Sequence, residues 1–139
     1  MLIDPATDFG KKVTRRLQQE QVIWLTTVAS DGTPQPNPVW FWWDGASILI
    51  YTRPGYKKVA NLKQRPRVSL HFDATPSGED VVVFTGVARF DPQAPPVHQN
   101  PEYVQKYRQG LESLGSTPEQ MGADYSTAIR IQPEKVRGW

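Results

Sequence analysis

Six short stretches rich in β-branched and aromatic residues, each followed by a turn or break signal, limit the folds open to this chain. They are residues 22–28, 37–43, 47–53, 67–73, 81–90 and 127–132. In the fourth, Val68, Leu70 and Phe72 alternate with other residues, as in a strand with one buried face. Short connections join most neighbours, which favours antiparallel pairing and closure into a small barrel. The sequence therefore predicts a mainly β (α+β) fold, a six-stranded antiparallel barrel with flanking helices.

Prolines and one glycine constrain two of these strands. Pro34, Pro36 and Pro38 lack backbone N–H groups, so they confine the start of the second strand to an edge or irregular position. Gly86 lies within the fifth strand and predicts a bulge or bend there. Residues 133–139, after the last strand, are expected to form a C-terminal tail.

Helix signals precede and separate the strands. Asp4 and Pro5 predict the cap and first residue of an N-terminal helix, in which Phe9, Val13 and Leu17 share one face. That face leaves four basic residues outside: Lys11, Lys12, Arg15 and Arg16. Start signals predict three further helices: near Gly55, at Asn100-Pro101 and at Thr117-Pro118.

The segment from the third strand into the second helix has the composition of an anion site. Residues 51–58 read Tyr-Thr-Arg-Pro-Gly-Tyr-Lys-Lys. The first N–H groups of the helix have no partner inside it, and its dipole is positive at that end. These residues therefore predict a phosphate site at the foot of a tryptophan-rich sheet, as a flavin-like or nucleotide-like cofactor would need.

A second interpretation of the same segment remains open. Lys57 and Asn61 are four residues apart and share a helix face opposite Val59, so this part of the basic set is turned away from the core. Lysines on such a face are usually only solvated, and a basic strand end is also a common guard against edge pairing.

Composition excludes several kinds of chemistry. The 139 residues fit one domain, and 22% charged with 38% hydrophobic residues is typical of a soluble globular protein. Without cysteine the chain has no disulfide, thiolate nucleophile or soft metal site. His71 and His98 lack a metal-ligand spacing, and no nucleophile-elbow, Walker or Rossmann motif is present. A bound cofactor is the expected source of any chemistry.

Charge and hydropathy limit the partners. A net charge of +2 is too small to indicate nucleic acid. No apolar run approaches the roughly 20 residues of a membrane span, and the first residues lack the layout of a signal peptide. We therefore expect a cytoplasmic protein that binds a small molecule and neither nucleic acid nor a membrane.

Three parts of the sequence together resemble the pyridoxamine 5'-phosphate oxidase-like superfamily. They are Tyr51-Thr52 followed by Lys57-Lys58, the run Arg-Pro-Arg-Val-Ser-Leu-His-Phe at residues 65–72, and the hairpin of residues 27–41 with Pro38-Val39-Trp40. The resemblance covers residues 9–90 well and the remainder more loosely. It implies a split β-barrel homodimer that binds FMN or the deazaflavin coenzyme F420 at the subunit interface.

The resemblance also implies roles for individual residues. The cofactor-binding set it implies is Pro38, Val39, Trp40, Phe41, Tyr51, Thr52, Arg53, Lys57, Lys58, Asn61 and Trp139. In it Thr52, Lys57 and Lys58 contact the phosphate with Arg53 adjacent, the strand from Pro38 lines the ring, and Trp139 reaches the ring of the partner chain. Ordinary packing is the alternative for Trp40 and Trp139, and disorder is a further one for the terminal residue.

In its compact length, and in Val39-Trp40-Phe41 with Lys-Lys-Val-Ala-Asn-Leu at residues 57–62, the chain is most similar to the deazaflavin-dependent branch. Val81 stands where the vitamin-forming oxidases have a polar residue near the flavin, and their C-terminal basic substrate motif is not evident. The predicted function is an F420-dependent reductase that moves a hydride to or from a small unsaturated molecule, with Lys11, Lys12, Arg15 and Arg16 as a cationic rim. An FMN enzyme and a non-enzymatic cofactor-binding protein are the alternatives. Because residues 40–43 are aromatic on both faces of their strand, we also predict a homodimer.

Overall fold

The computed structural model describes residues 2–139, so Met1 of the predicted domain lies outside it. The chain forms seven strands, which are β1 Ile23–Val28, β2 Pro34–Val39, β3 Trp42–Trp43, β4 Ile48–Thr52, β5 Arg67–His71, β6 Val82–Phe90 and β7 Thr127–Gly138. The α-helices are α1 Asp8–Gln19, α2 Lys57–Gln64, α3 Pro101–Ser113 and α4 Pro118–Asp124, and a 3₁₀ turn spans Val97–Gln99. No helix within residues 2–139 is long and apolar enough to cross a membrane.

All strand pairs are antiparallel, in the order β2-β1-β5-β6-β7-β4-β3. The two ends of this order, β2 and β3, are joined in the chain by Trp40 and Phe41 alone. Because a two-residue link holds the outermost strands together, the sheet has to curl round on itself. The predicted antiparallel split barrel is confirmed, with seven strands in place of six.

The second predicted strand, residues 37–43, has the wrong bounds. It begins earlier, at Pro34, and ends at Val39, whereas Trp42 pairs with Leu49 of β4. Its prolines are tolerated because β2 is an edge strand, where alternate backbone groups face no neighbouring strand. The predicted edge position is therefore right.

The last strand is longer than predicted, because residues 133–138 pair with β6 and do not form a free tail. Pro133 lies opposite Gly86 and Lys135 opposite Thr85, so Glu134 is the extra residue of a bulge. A Cβ at Gly86 would lie 2.3 Å from the carbonyl oxygen of Gln132. The bulge predicted at Gly86 is confirmed, and it is also what accommodates a proline inside the ladder.

Two apolar clusters lie on opposite sides of β4, and all five of its residues are buried. Ile48 and Ile50 face the barrel interior, which α1 also contacts through Val13 and Leu17. Leu49 and Tyr51 face outward and are covered by α3 and α4. The position of α3 and α4 over β4 creates the cleft described below.

Helix α1 differs from its prediction in two ways. It begins at Asp8 with Thr7 as its cap, whose hydroxyl accepts a bond from the Gly10 N–H at 2.9 Å, and not at Asp4-Pro5. Arg16, predicted to lie outside, is only 6% exposed. Its guanidinium donates to the Asp73 carbonyl at 2.7 Å and lies over the Phe72 ring, because the segment before β6 packs across this face of the helix. The caps predicted at Asn100 and Thr117 are confirmed.

Candidate cofactor-binding cleft

A cleft of about 570 Å³ lies where the ends of β2 and β4 meet α3 and α4. One end, which we call the cationic end, is formed by Thr52, Arg53 and Lys58. Most of the remaining lining is apolar and includes Leu111, Leu114 and Met121. Ligand sites of this size usually combine such an apolar body with a few polar groups that fix orientation.

Local chain geometry builds the cationic end. Strand β4 stops at Thr52, and the chain turns through Pro54 and Gly55, with the Tyr56 N–H donating to the Arg53 carbonyl at 3.2 Å. Helix α2 then starts at Lys57, and the side chain of its N-cap residue, Tyr56, makes no capping hydrogen bond. The Val59 N–H donates to the Tyr56 carbonyl at 3.0 Å, so the N–H groups of Lys57 and Lys58 are the ones that keep their donor capacity beside the cationic residues.

Two buried hydroxyls in the cleft lack hydrogen-bond partners. Within residues 2–139, the buried side-chain polar atoms without a partner are Thr52 Oγ1 and Tyr103 Oη, and both residues line the cleft. Leaving a buried hydroxyl unpaired costs about 1–3 kcal/mol, so such groups are rare in folded proteins. Burial also raises the pKa of Tyr103, which keeps its proton available for donation. A ligand whose oxygen acceptors came within reach of both hydroxyls would satisfy them, and such donors suit the phosphate and ring of a flavin or deazaflavin.

Aromatic contacts hold the cations in place. The Arg53 guanidinium lies 5.0 Å from the Tyr125 ring centre, and Lys58 Nζ lies 5.6 Å from that of Tyr56. Interactions with the Tyr56 hydroxyl and the Arg53 guanidinium lower the pKa of Tyr125, while the contact with Tyr125 raises the pKa of Tyr56. Burial lowers the pKa of Lys58, an effect that a bound anion would oppose. The cationic end is thus suited to receive negative charge.

Trp40 forms an aromatic wall of the cleft. Its indole stacks on Tyr107 of α3 with ring centres 4.4 Å apart and an interplanar angle of 5°. Gly110, one turn further along α3, leaves room for the indole, because a Cβ there would lie 2.9 Å from it. The wall therefore depends on a glycine in the last turn of α3, for which the sequence carried no signal.

Helix α3 also binds the link between β2 and β3. The Tyr107 hydroxyl accepts from the Phe41 N–H at 2.8 Å, and Lys106 Nζ donates to the Phe41 carbonyl at 2.9 Å. Lys106 lies 3.7 Å from the Phe41 ring centre, and burial lowers its pKa to about 8. These contacts fix the backbone next to Trp40 and so hold the aromatic wall in place.

The structure brings most of the predicted site residues together and leaves four outside the cleft. Those that line it are Pro38, Val39, Trp40, Tyr51, Thr52, Arg53 and Lys58. Phe41 is buried in the barrel core, and Lys57 is exposed beside the cleft without lining it. Trp139 lies elsewhere in its own chain, where its indole N–H donates to the Gly78 carbonyl at 3.0 Å and 61% of the residue is exposed.

Asn61 requires a correction, because its predicted orientation away from the core is wrong. The residue is buried, and its side-chain amide donates to Thr27 Oγ1 at 3.1 Å. Helix α2 packs against β1, so the face that carries Asn61 turns inward. The amide joins the helix to the sheet within this chain.

The predicted rim on α1 does not reach the cleft either. None of its basic residues lines the cleft within the part of the chain that the structure describes. Arg16 is buried, and Lys12 pairs with Asp80 at 3.2 Å. Two of the four basic residues, Lys12 and Arg16, thus contact the segment before β6.

Sequence reasoning missed the half of the cleft contributed by the C-terminal helices. Tyr103, Leu111, Met121, Asp124 and Tyr125 line it. Their start signals at Asn100-Pro101 and Thr117-Pro118 identified the helices themselves, but no local signal indicated which strands the helices would cover.

This fold and cleft define a split barrel whose cleft has cationic residues beside an aromatic wall. The chain belongs to the pyridoxamine 5'-phosphate oxidase family, whose sequence profile matches residues 9–139. Its architecture is that of the flavin-binding proteins of this superfamily, which includes oxidoreductases. No significant match was found among curated proteins.

Solved structures share the fold at low sequence identity. A conserved hypothetical protein from Mycobacterium tuberculosis aligns with a TM-score of 0.72 and 24% identity over 93% of this chain and 82% of its own. An F420 reductase aligns with a TM-score of 0.68 and 23% identity over 88% and 94%. The haem storage protein from Vibrio cholerae aligns with a TM-score of 0.64 and 18% identity over 99% and 95%. At these identities the comparisons establish the fold alone.

Proposed function

We propose that this protein is a reductase that uses the deazaflavin coenzyme F420 to move a hydride to or from a small unsaturated or conjugated molecule. The observation that carries the proposal is the pair of unpartnered buried hydroxyls, Thr52 and Tyr103, in a cleft that also holds Arg53 and Lys58. When bound, a flavin or deazaflavin ring supplies the hydride chemistry that the side chains lack.

The residues of the chain would bind and position such a cofactor. Arg53 and Lys58 offset the charge of its phosphate, and the Thr52 hydroxyl donates a hydrogen bond to it. Trp40 and Val39 pack against the ring and exclude water from that side. The apolar residues that line the cleft, such as Leu111, Leu114 and Met121, provide a surface suited to an uncharged, planar substrate.

FMN is the second candidate, and a specific observation favours it. The deazaflavin has a longer and more anionic tail, yet the cations of α1 do not line the cleft of their own chain. The deazaflavin comes first because residues 57–62 resemble the branch that uses it and because an F420 reductase shares the fold. Tight FMN binding without measurable deazaflavin binding would replace the first candidate with the second.

A third candidate is a protein that binds a cofactor without catalysis, since the haem storage protein shares the fold. Haem proteins commonly use a histidine ligand to iron. Neither histidine lines the cleft within residues 2–139, and His71 stacks on Trp24 with ring centres 6.1 Å apart. The cleft is therefore better suited to a phosphorylated ring cofactor than to haem.

We also propose that the protein is a homodimer, on the basis of the exposed residues at the cleft. Residues 40–43 are buried or half-buried within one chain, so they do not leave the excess of exposed aromatic surface that was expected. At the cleft, however, Tyr56 and Leu114 are 41% and 71% exposed. A second chain covering them would close the cofactor site. Sedimentation that shows a monomer at micromolar concentration would contradict this.

The Thr52→Val variant tests the cofactor site with two readouts. Loss of a hydrogen bond to a charged phosphate costs about 1.5–3 kcal/mol, so affinity for FMN and for the deazaflavin should fall about 10- to 100-fold. The free energy of unfolding of the ligand-free protein should stay unchanged or rise by about 1 kcal/mol, because an unpaired buried hydroxyl is replaced by a methyl group.

Thr85→Val is the matched control, since Thr85 is an exposed strand threonine outside the cleft. Cofactor affinity is measured by titration with absorbance or fluorescence, and stability by urea unfolding. If Thr52→Val binds both cofactors as tightly as the wild type, the phosphate is not held at this end of the cleft and the proposal fails.

A further inference from the structure

An acidic residue, Asp124, lies at the cationic end of the cleft, and binding of the proposed cofactor does not require it. Within residues 2–139, the charged side chains that line the cleft are Arg53, Lys58 and Asp124. Asp124 is the last residue of α4, and its Oδ2 lies 3.7 Å from Nη2 of Arg53. A ligand phosphate that contacts Arg53 would therefore meet a carboxylate already at the same guanidinium.

The geometry of this pair marks it as replaceable. Charge-assisted bonds between a guanidinium and an oxygen anion are about 2.7–2.9 Å long, and the observed separation of 3.7 Å is well beyond that range. The side chains of Arg53 and Asp124 are 46% and 56% exposed, so water screens their attraction. A phosphate in direct contact with Arg53 would form the stronger interaction and displace Asp124.

A second contact decides what happens to Arg53 when Asp124 is lost. The guanidinium lies over the Tyr125 ring at 5.0 Å, and this contact does not involve the carboxylate. Arg53 should thus remain at the cleft without Asp124 and become available to a ligand. Removal of the acid is then expected to tighten anion binding and not to weaken it.

We propose that Asp124 is a specificity-determining residue that competes with anionic ligands for Arg53 and so weakens their binding relative to neutral ligands of the same shape. This inference rests on the proposed function, because it assumes that a phosphorylated flavin or deazaflavin enters the cleft. The consequence is selectivity by charge. Asp124 lowers the affinity contributed by the phosphate of a ligand and leaves the affinity contributed by its ring unchanged.

A charge series at position 124 tests the inference with FMN and riboflavin, which have the same ring and differ in the phosphate. Exposed ion pairs of this kind correspond to about a two- to fivefold change in affinity, so Asp124→Asn should bind FMN about two- to fivefold more tightly than the wild type. Asp124→Lys should bind FMN more tightly still. Riboflavin affinity should stay the same in all three proteins.

The matched control is Glu112→Gln, which removes one negative charge near the C-terminal end of α3, at an exposed residue that does not line the cleft. It should leave FMN affinity unchanged. The gain of Asp124→Asn should also shrink in 0.5 M salt, where the Debye length is only a few ångströms.

Failure of the proposed function and failure of the role of Asp124 give different results. No FMN or deazaflavin binding by any of the proteins would overturn the proposed function and this inference together. Wild-type FMN binding that Asp124→Asn leaves unchanged or weakens would overturn the inference alone, as would an equal gain in Glu112→Gln. A gain for riboflavin equal to that for FMN would show that position 124 acts through packing and not through charge.

Discussion

Gly110→Ala is the sharpest test of how the aromatic wall is built, because two effects of opposite sign compete. In the interior of a helix, alanine is normally more stable than glycine by about 0.5–1 kcal/mol. At Gly110, however, a Cβ would lie 2.9 Å from Cζ2 and 3.0 Å from Cη2 of Trp40. These distances are too short for carbon atoms, so the indole has to move.

The structure indicates which effect is larger. Overpacking of a filled site costs about 1–3 kcal/mol, and displacement of the indole from Tyr107 also weakens an aromatic pair worth about 0.5–1.5 kcal/mol. After subtraction of the gain in helix propensity, Gly110→Ala should lower the free energy of unfolding by about 0.5–4 kcal/mol. Riboflavin and FMN should both bind less tightly, because the ring loses its wall.

A double-mutant cycle with Trp40→Phe isolates the contact. Phenylalanine lacks the second ring that Gly110 faces, so in this background alanine should be neutral or stabilising by up to about 1 kcal/mol. Urea unfolding gives the four stabilities, and near-ultraviolet circular dichroism reports the Trp40 environment. If Gly110→Ala stabilises the wild-type and Trp40→Phe proteins equally, the indole does not occupy the space over Gly110 and the reasoning is refuted.

Two further predictions concern buried cations. The folded chain lowers the pKa of Lys106 to about 8, so the unfolded chain binds more protons from there up to the ordinary lysine pKa of about 10.4. The stability of the wild type relative to Lys106→Met should therefore rise from pH 8 to pH 10, by about 1 kcal/mol after allowance for partial exposure. Thermal or urea unfolding measures this difference, and a difference that falls over this range would contradict the prediction. Arg16→Met should cost about 2–4 kcal/mol in urea unfolding, because it leaves the carbonyls of Asp73 and Asp80 without their donor. The exposed neighbour Arg15→Met should change stability by less than about 0.5 kcal/mol, and equal effects of the two would show that Arg16 is not buried.

Signals that act over a few residues predicted much of this fold. The alternation around Leu70 identified β5, the caps at Asn100 and Thr117 marked two helix starts, and Gly86 marked the bulge. Each depends on a residue and its near neighbours in the chain, so the sequence alone is enough. The basic segment after Thr52 was identified in the same way, since strand end, turn and helix start are contiguous.

Contacts between distant segments decided what the sequence could not. Helical periodicity placed Arg16 and Asn61 on outward-facing sides of their helices. It carries no information on the segment before β6 or on β1, which bury these side chains. The length of β7 depends on β6 as its partner, and the split of residues 34–43 into two strands depends on β4. For the same reason half of the cleft was not predictable: Asp124 and Tyr125 meet Arg53 only because α3 and α4 cover β4. Local periodicity and capping determined the elements, the bulge and the basic segment, whereas pairing and burial between parts far apart in the chain determined which residues share the site.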